Sequence, residues 1–193
     1  LIIDEACSGV EDVSSEAVFD LIDKNIYDGI KKEDLSSSIL ISIRPLIEKD
    51  PNYSYVVARL LLSSLYEEGL TFLNFKNNSP TIKEMSKSYP DYFKAYITKA
   101  VELELIDKEL LNYDMDLIAK NINPSKDLAF TYLGLQTLYD RYFIHEQGKR
   151  FELPQAFFMR VAMGLAINEE NREERTIEFY NLISSFDFMC STP

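Results

Sequence analysis

From Ser14 onward the apolar residues return at three- and four-residue spacing. Val18, Leu21, Ile22 and Ile26 stand at i, i+3, i+4 and i+8, which is one face of a helix. Asp28-Gly29 is the predicted stop, because glycine accepts the left-handed conformation that helix C-termini favour. The spacing predicts a second helix over residues 34–50, broken near residues 41–44 because Pro45 removes a backbone donor from its interior. Val57, Leu60, Leu61 and Leu65 mark a third. Residues 70–80 are rich in turn formers and predict a boundary between two domains, 1–70 and 71–193. Beyond it, Thr81 and Glu84 have the spacing of a capping box for a short helix. Pro90-Asp91 then opens the next helix, with Phe93, Tyr96, Ile97, Ala100 and Val101 on one face. Residues 105–122 read as a helix ending at Asn123-Pro124, and Leu128, Leu135 and Leu138 belong to another.

One stretch reads as β. Arg141-Tyr142-Phe143-Ile144-His145 and Arg150-Phe151-Glu152-Leu153 flank a polar segment with Gly148, which predicts a hairpin with a short loop. Pro154 stops the second strand and suits the first position of a helix carrying Phe157, Phe158, Val161, Ala162 and Leu165. Asn171 and Glu174 are placed to cap a last helix holding Ile177, Tyr180 and Ile183 and running toward Phe186. The predicted fold class is mainly α, a helical bundle with one β-hairpin.

Composition narrows the function classes. The chain has 193 residues, 46% hydrophobic and 27% charged, enough to bury a core. Its net charge is −12, and the short basic groups Lys31-Lys32 and Lys149-Arg150 are bordered by acids. That leaves no basic face for nucleic acid or an anionic membrane. No apolar run approaches the ~20 residues that span a bilayer. Cys7 and Cys190 are too few for a disulfide scaffold and lack metal-ligand spacing. They read as small buried residues of a reducing, cytoplasmic protein. His145, the single histidine, reads as an edge residue of the hairpin. Glu169-Glu170 and Glu173-Glu174 suit the start of a helix, where negative charge complements the dipole. No nucleophile elbow, phosphate-binding glycine loop, HExxH or CxxC is present. The chain begins at Leu1-Ile2-Ile3-Asp4 and ends at Cys190-Ser191-Thr192-Pro193, within patterned sequence, so a piece of a larger protein is expected.

Four segments, in order, carry a resemblance. They are Ile26-Tyr27-Asp28-Gly29-Ile30 with Asp50-Pro51-Asn52-Tyr53-Ser54-Tyr55-Val56-Val57-Ala58-Arg59-Leu60-Leu61, then Phe130-Thr131-Tyr132-Leu133-Gly134 through Ile144, then Glu152-Leu153-Pro154-Gln155-Ala156-Phe157-Phe158-Met159-Arg160-Val161-Ala162-Met163-Gly164-Leu165-Ala166, and last Ser191-Thr192-Pro193. Together they resemble the N-terminal part of the large (α) subunit of class I ribonucleotide reductase. The resemblance implies that residues 1–70 are the C-terminal helical part of an ATP-cone-like regulatory module. Residues 71–193 would be the helical region that ends where an α/β catalytic barrel begins.

The resemblance further implies a radical enzyme that replaces the ribose 2′-hydroxyl by hydrogen. A thiyl radical abstracts the 3′-hydrogen, and a dithiol supplies electrons as it closes to a disulfide. The expected partners are a metal-containing small (β) subunit that supplies the radical, a second α subunit, nucleotide substrate, and ATP or dNTP effectors. None of the family's catalytic positions matches a residue of this chain; Cys190 precedes the Ser-Thr-Pro stretch and does not correspond to the first redox cysteine. Thr192, with Ser191, is the implied substrate-binding position, at the phosphate end. Lys32 stands where a hydroxyl residue is common and is the one candidate contact for an allosteric nucleotide. Glu67 stands where some relatives carry a basic phosphate contact, so ATP or dATP binding by this stretch alone is not expected. No metal or other cofactor is expected in this region. The other reading of the residues is a nucleotide-responsive helical interaction module without catalysis.

Overall fold

Side-chain caps and buried tyrosines, as much as hydrophobic spacing, decide where the elements of this chain begin and end. The structure, a computed structural model, describes residues 2–77 and 80–188, and of Lys32 and Glu33 the backbone only. Its helices in chain order are α1 (Ile2–Cys7), α2 (Ser15–Asn25), α3 (Lys32–Ile43), α4 (Leu46–Lys49), α5 (Tyr53–Phe72), α6 (Ile82–Glu102), α7 (Met115–Lys120), α8 (Tyr132–Arg141), α9 (Pro154–Ala166) and α10 (Arg172–Ser184). Short 3-10 turns cover Lys108–Asn112 and Pro124–Ala129, and β1 (His145–Glu146) pairs antiparallel with β2 (Lys149–Arg150). The fold is mainly α with one β-hairpin, as the sequence predicts. Among the described residues no helix is long and apolar enough to cross a membrane.

The chain divides into two compact units, Leu1–Leu65 with Leu128–Arg141, and Tyr66–Asp127 with Tyr142–Pro193. A boundary read along the sequence at residues 70–80 cannot express this return of residues 128–141 to the first unit. In that unit the Ser14 hydroxyl accepts the Ala17 N–H at 3.2 Å and caps α2. The helix stops at Asn25, ahead of Gly29, whose φ of +94° serves a following turn instead. The expected break at Pro45 separates α3 from α4. Arg59 of α5 closes the end of α1, donating from Nη1 to the Ala6 and Ser8 carbonyls at 3.0 and 2.7 Å. The Tyr132 N–H at the start of α8 donates to the Ser54 hydroxyl at 3.0 Å. Val18, Ile43, Val56, Leu62 and Leu135 are buried in this unit.

Two expected helix boundaries fail in the second unit. Residues 81–101 do not form two helices divided at Pro90: α6 runs unbroken for 21 residues with Pro90 inside. Thr81 and Glu84 do form the capping box. A proline in a helix interior costs about 3 kcal/mol. The stripe Met85, Tyr89, Tyr92, Phe93, Tyr96, Ile97 and Ala100 is buried on both sides of it, and that burial outweighs the lost bond. Residues 105–122 are not one helix either. Glu104 takes a φ of +57°, and the Asp107 and Asp114 side chains each cap a new start, so a 3-10 turn and α7 replace it.

The hairpin is shorter than its sequence suggests. Gln147 and Gly148 both have positive φ, 51° and 81°, as a two-residue turn of the primed type requires. The pairing is His145 with Arg150 and Glu146 with Lys149. His145 is exposed at this short ladder, as an edge residue should be. One further bond, Phe151 N–H to the Ile144 carbonyl at 3.3 Å, follows, and then Pro154 begins α9 as expected. Asn171 stands at the N-cap of α10, but its side chain makes no capping bond.

Candidate functional site

The second unit carries its polar chemistry in its interior, on the segment Glu152-Leu153-Pro154-Gln155 that leads into α9. Proline at the first helical position lacks the donor that would have no partner there. The groups around it are claimed by tyrosines of α6. Tyr92 donates its hydroxyl to the Phe151 carbonyl at 2.7 Å and accepts the Leu153 N–H at 2.9 Å. Tyr89 accepts the Gln155 N–H at 3.1 Å. These tyrosines stand at i and i+3, and Tyr96 follows at i+7, so one face of α6 presents all three hydroxyls.

Glu152 is fully buried and ionically paired. Arg160, two turns into α9, donates from Nε and Nη2 to its two carboxylate oxygens at 2.6 and 3.2 Å. Tyr96 donates to the same carboxylate, and so does the Ile144 N–H at 2.9 Å. The last bond explains the short hairpin, because the carboxylate takes a donor that a longer strand would have used. Burial disfavours the charge on Arg160, but the adjacent Glu152 more than offsets it and the guanidinium pKa rises.

Asp127 is the second buried carboxyl, only 2% exposed. Tyr66 of α5 donates to Oδ2 at 2.9 Å and the Gln155 amide donates to Oδ1 at 2.8 Å. The Gln155 carbonyl in turn accepts the Tyr180 hydroxyl of α10 at 2.8 Å. Burial pushes the Asp127 pKa up to about 7, although the bonds from Gln155 and Tyr66 pull the other way. The Tyr89, Tyr92 and Tyr96 hydroxyls are driven well above the ordinary tyrosine value, chiefly by burial, and Tyr180 to about 12 for the same reason. Such a set of neutral phenols around closed-off carboxyls can hold and order helices. It offers no exposed nucleophile with a base beside it.

Among the described residues no cluster of three or more His, Cys, Asp or Glu is placed to hold a metal ion. An open surface cleft is lined by Leu117, Ile177, Asn171 and the acidic Glu170, Glu173 and Glu174. Cys7 is half-buried rather than buried, and burial raises its thiol pKa. Cys190, Ser191 and Thr192 lie outside the described residues. Lys32 is the first residue of α3, and Lys31 holds the N-cap position without a side-chain capping bond. The Lys32 side chain lies outside what is described. Sequence reasoning missed Asp127, Glu152, Gln155, Arg160 and Tyr180 as a connected polar interior. The signal that could have found them is a glutamate and a glutamine bracketing Pro154 within otherwise apolar sequence, facing a row of tyrosines at helical spacing.

The comparisons with known proteins meet this segment. The family model described as "Ribonucleotide reductase, all-alpha domain" matches residues 128–193, which include Glu152, Gln155, Arg160 and Tyr180. The "Ribonucleoside-diphosphate reductase subunit alpha" of Chlamydia muridarum is 40% identical over 190 residues, 97% of this chain. Residues 128–193 carry the all-α domain of ribonucleotide reductase. The α subunit of the same name from Helicobacter pylori is 33% identical over 169 residues, 86% of this chain. "Ribonucleoside-diphosphate reductase 1 subunit alpha" of Escherichia coli is 26% identical over 201 residues, covering all of it. The chain spans 18%, 20% and 24% of the length of these three α subunits. In this family context the buried anchors of α9 and α10 belong to the all-α domain, whose helical character the structure shares.

Proposed function

We propose that this chain is the helical front part of a ribonucleoside-diphosphate reductase α subunit, and that the complete subunit converts ribonucleotides to deoxyribonucleotides for DNA synthesis. The observation that carries this reading is the similarity along 97% of the chain to an α subunit named for that activity. In the complete subunit, thiyl-radical chemistry would be performed by cysteines that this chain does not contain, with the radical supplied by a metal-containing β subunit. Residues 1–70 would be the helical remainder of an ATP-cone-like module, with Lys32 its one candidate nucleotide contact. Ser191 and Thr192 would meet the phosphate end of a nucleoside diphosphate, a role that suits a neutral hydroxyl donor. The α subunit would work as a homodimer, in the cytoplasm.

The test is to express the complete gene that encodes this segment and supply its β subunit, a dithiol reductant and a cytidine diphosphate substrate. Formation of the deoxynucleotide, absent when the 193-residue chain replaces the complete subunit, supports the reading. A complete subunit that forms none under these conditions refutes it.

A further inference from the structure

From the Asp127 carboxyl a line of buried polar groups runs to the end of α10. Both carboxyl oxygens accept, Oδ2 from the Tyr66 hydroxyl at 2.9 Å and Oδ1 from Gln155 Nε2 at 2.8 Å. Gln155 Oε1 accepts the Tyr180 hydroxyl at 2.8 Å, and Tyr180 Oη accepts the Asn123 N–H at 2.9 Å. Ser184, one turn further along α10, is another hydrogen-bond partner of the Tyr180 hydroxyl and accepts from Lys126 Nζ at 2.6 Å. Asp127, Gln155, Tyr180 and Ser184 are all buried. Tyr180 donates to Gln155 and Gln155 donates to Asp127, so the line points at the carboxyl. A charged carboxylate requires that direction, because it can only accept.

A neutral Asp127 has a proton of its own to donate, and the line as it stands offers it no acceptor at Gln155. Burial raises the carboxyl to about 7, so both forms occur near neutral pH. Among the described residues no cation is bonded to Asp127. The titratable groups that act on it or feel it are phenols: Tyr66 of α5, Tyr89 and Tyr92 of α6, and Tyr180 of α10. Glu152, which also acts on Tyr92, is paired with Arg160. Lys126, on the same 3-10 turn, is directed at Ser184 and the Tyr180 ring and feels Asp187.

We propose that Gln155 is a proton-operated relay: when Asp127 takes up a proton from water, the Gln155 amide turns end for end and the Tyr180 hydroxyl passes from Gln155 to Ser184. An amide presents a donor and an acceptor in nearly the same shape, so turning it costs no space. Both of its contacts are 2.8 Å, a length that serves either direction. After the turn Asp127 donates to Oε1, Nε2 donates to Tyr180 Oη, and Tyr180 donates to Ser184 Oγ. Each bond of the line is reversed and none of its donors is stranded. The proton is thereby registered at Ser184, which does not touch Asp127. The other acceptor for the proton, Tyr66, would leave Gln155 and everything beyond it unmoved.

The test follows the infrared carbonyl stretch of protonated Asp127 against pH, in the protein expressed from the complete gene. Asp127→Asn abolishes the band and so assigns it. If that variant fails to fold, Tyr66→Phe assigns the band by displacing it, since it removes a direct partner. The native band is expected to titrate near pH 7. In Ser184→Ala the relayed proton has no acceptor, so the neutral form is penalised and the midpoint falls by about one pH unit. Ser184→Thr keeps a hydroxyl and is expected to hold the native midpoint. An unchanged midpoint in Ser184→Ala overturns the relay and leaves the proton with Tyr66. A Ser184→Thr midpoint displaced as far as that of Ser184→Ala overturns it too, because packing rather than the hydroxyl then sets the shift. A native protein with no such band at any pH overturns it outright, since Asp127 then never takes up the proton.

Discussion

Asp127→Asn should remove a pH dependence of stability that the native carboxyl imposes. Asp127 is buried and its partners are the Tyr66 phenol and the Gln155 amide rather than a cation. Its pKa is therefore raised from the ordinary 3.8 to about 7, with burial the dominant cause. The folded chain keeps this proton through a window in which the unfolded chain has released it. Stability from this group is accordingly complete below about pH 4, declines as pH rises toward 7, and stays at its low value above that. The shift is roughly three units, or about 4 kcal/mol over the whole window at ~1.4 kcal/mol per unit. Between pH 5 and 8 about 2–3 kcal/mol of that change falls within reach of measurement. It is a large share of the ~5–15 kcal/mol that holds a typical domain. Urea unfolding followed by far-UV circular dichroism at pH 5, 6, 7 and 8 should show the native chain losing stability relative to Asp127→Asn across that range. Subtracting the variant cancels the other titrating groups. A difference that is constant with pH would mean that the bonds from Tyr66 and Gln155 keep the carboxylate charged in the fold, and the reasoning from burial would be refuted.

Arg160→Met should destabilise by about 3–5 kcal/mol, because Glu152 stays fully buried without its cation; a double-mutant cycle with Glu152→Gln should recover much of that loss. Tyr92→Phe deletes one hydroxyl but strands both the Phe151 carbonyl and the Leu153 N–H, so a cost of about 2–4 kcal/mol is expected by chemical denaturation. An unfolding midpoint equal to the native one would show that water takes over both groups. Gly148→Ala places a side chain at a φ of +81° with open space around it, so its loss, about 1 kcal/mol, should come from backbone strain alone. Gly148→Asn should then be the milder variant.

How the fold was legible follows from what each kind of signal measures. The stripe of α6 from Phe93 to Ala100 is readable because period and burial agree. Extending that stripe back through Tyr89 and Met85 would have carried the helix across Pro90. Read locally, the proline is a helix breaker, whereas seven buried side chains decide the matter together. The reverse happens at residues 105–122, where spacing suggests a helix and two aspartates divide it. Asp107 and Asp114 each satisfy a backbone donor locally, and a short polar side chain of that sort is invisible to a hydrophobic pattern. The hairpin lies between these cases. Its turn is set by Gln147-Gly148, but its length is set by Glu152, whose carboxylate intercepts the Ile144 donor from eight residues away.

The polar interior was not legible in the sequence, although the resemblance runs through the segment that bears Glu152, Gln155 and Arg160, and its physics explains why. A stripe such as Val18, Leu21 and Ile22 asks only for apolar residues of about the right size, so many chains can carry it and it identifies none. A buried carboxyl asks for more. Glu152 needs a guanidinium, a phenol and a backbone donor in fixed places, and Asp127 needs Tyr66 and an amide that is itself held by Tyr180. Losing any one partner leaves a charge or dipole stranded at a cost of several kcal/mol. Such requirements tie residues far apart in sequence into one choice. Segments bearing Glu152, Gln155 and Arg160 can therefore point to a family where the apolar stripes cannot. The same argument limits what they say about chemistry. Groups so fully occupied with one another have no lone pair or proton to spare for a substrate, and their contribution to function must pass through the placement of the helices they hold.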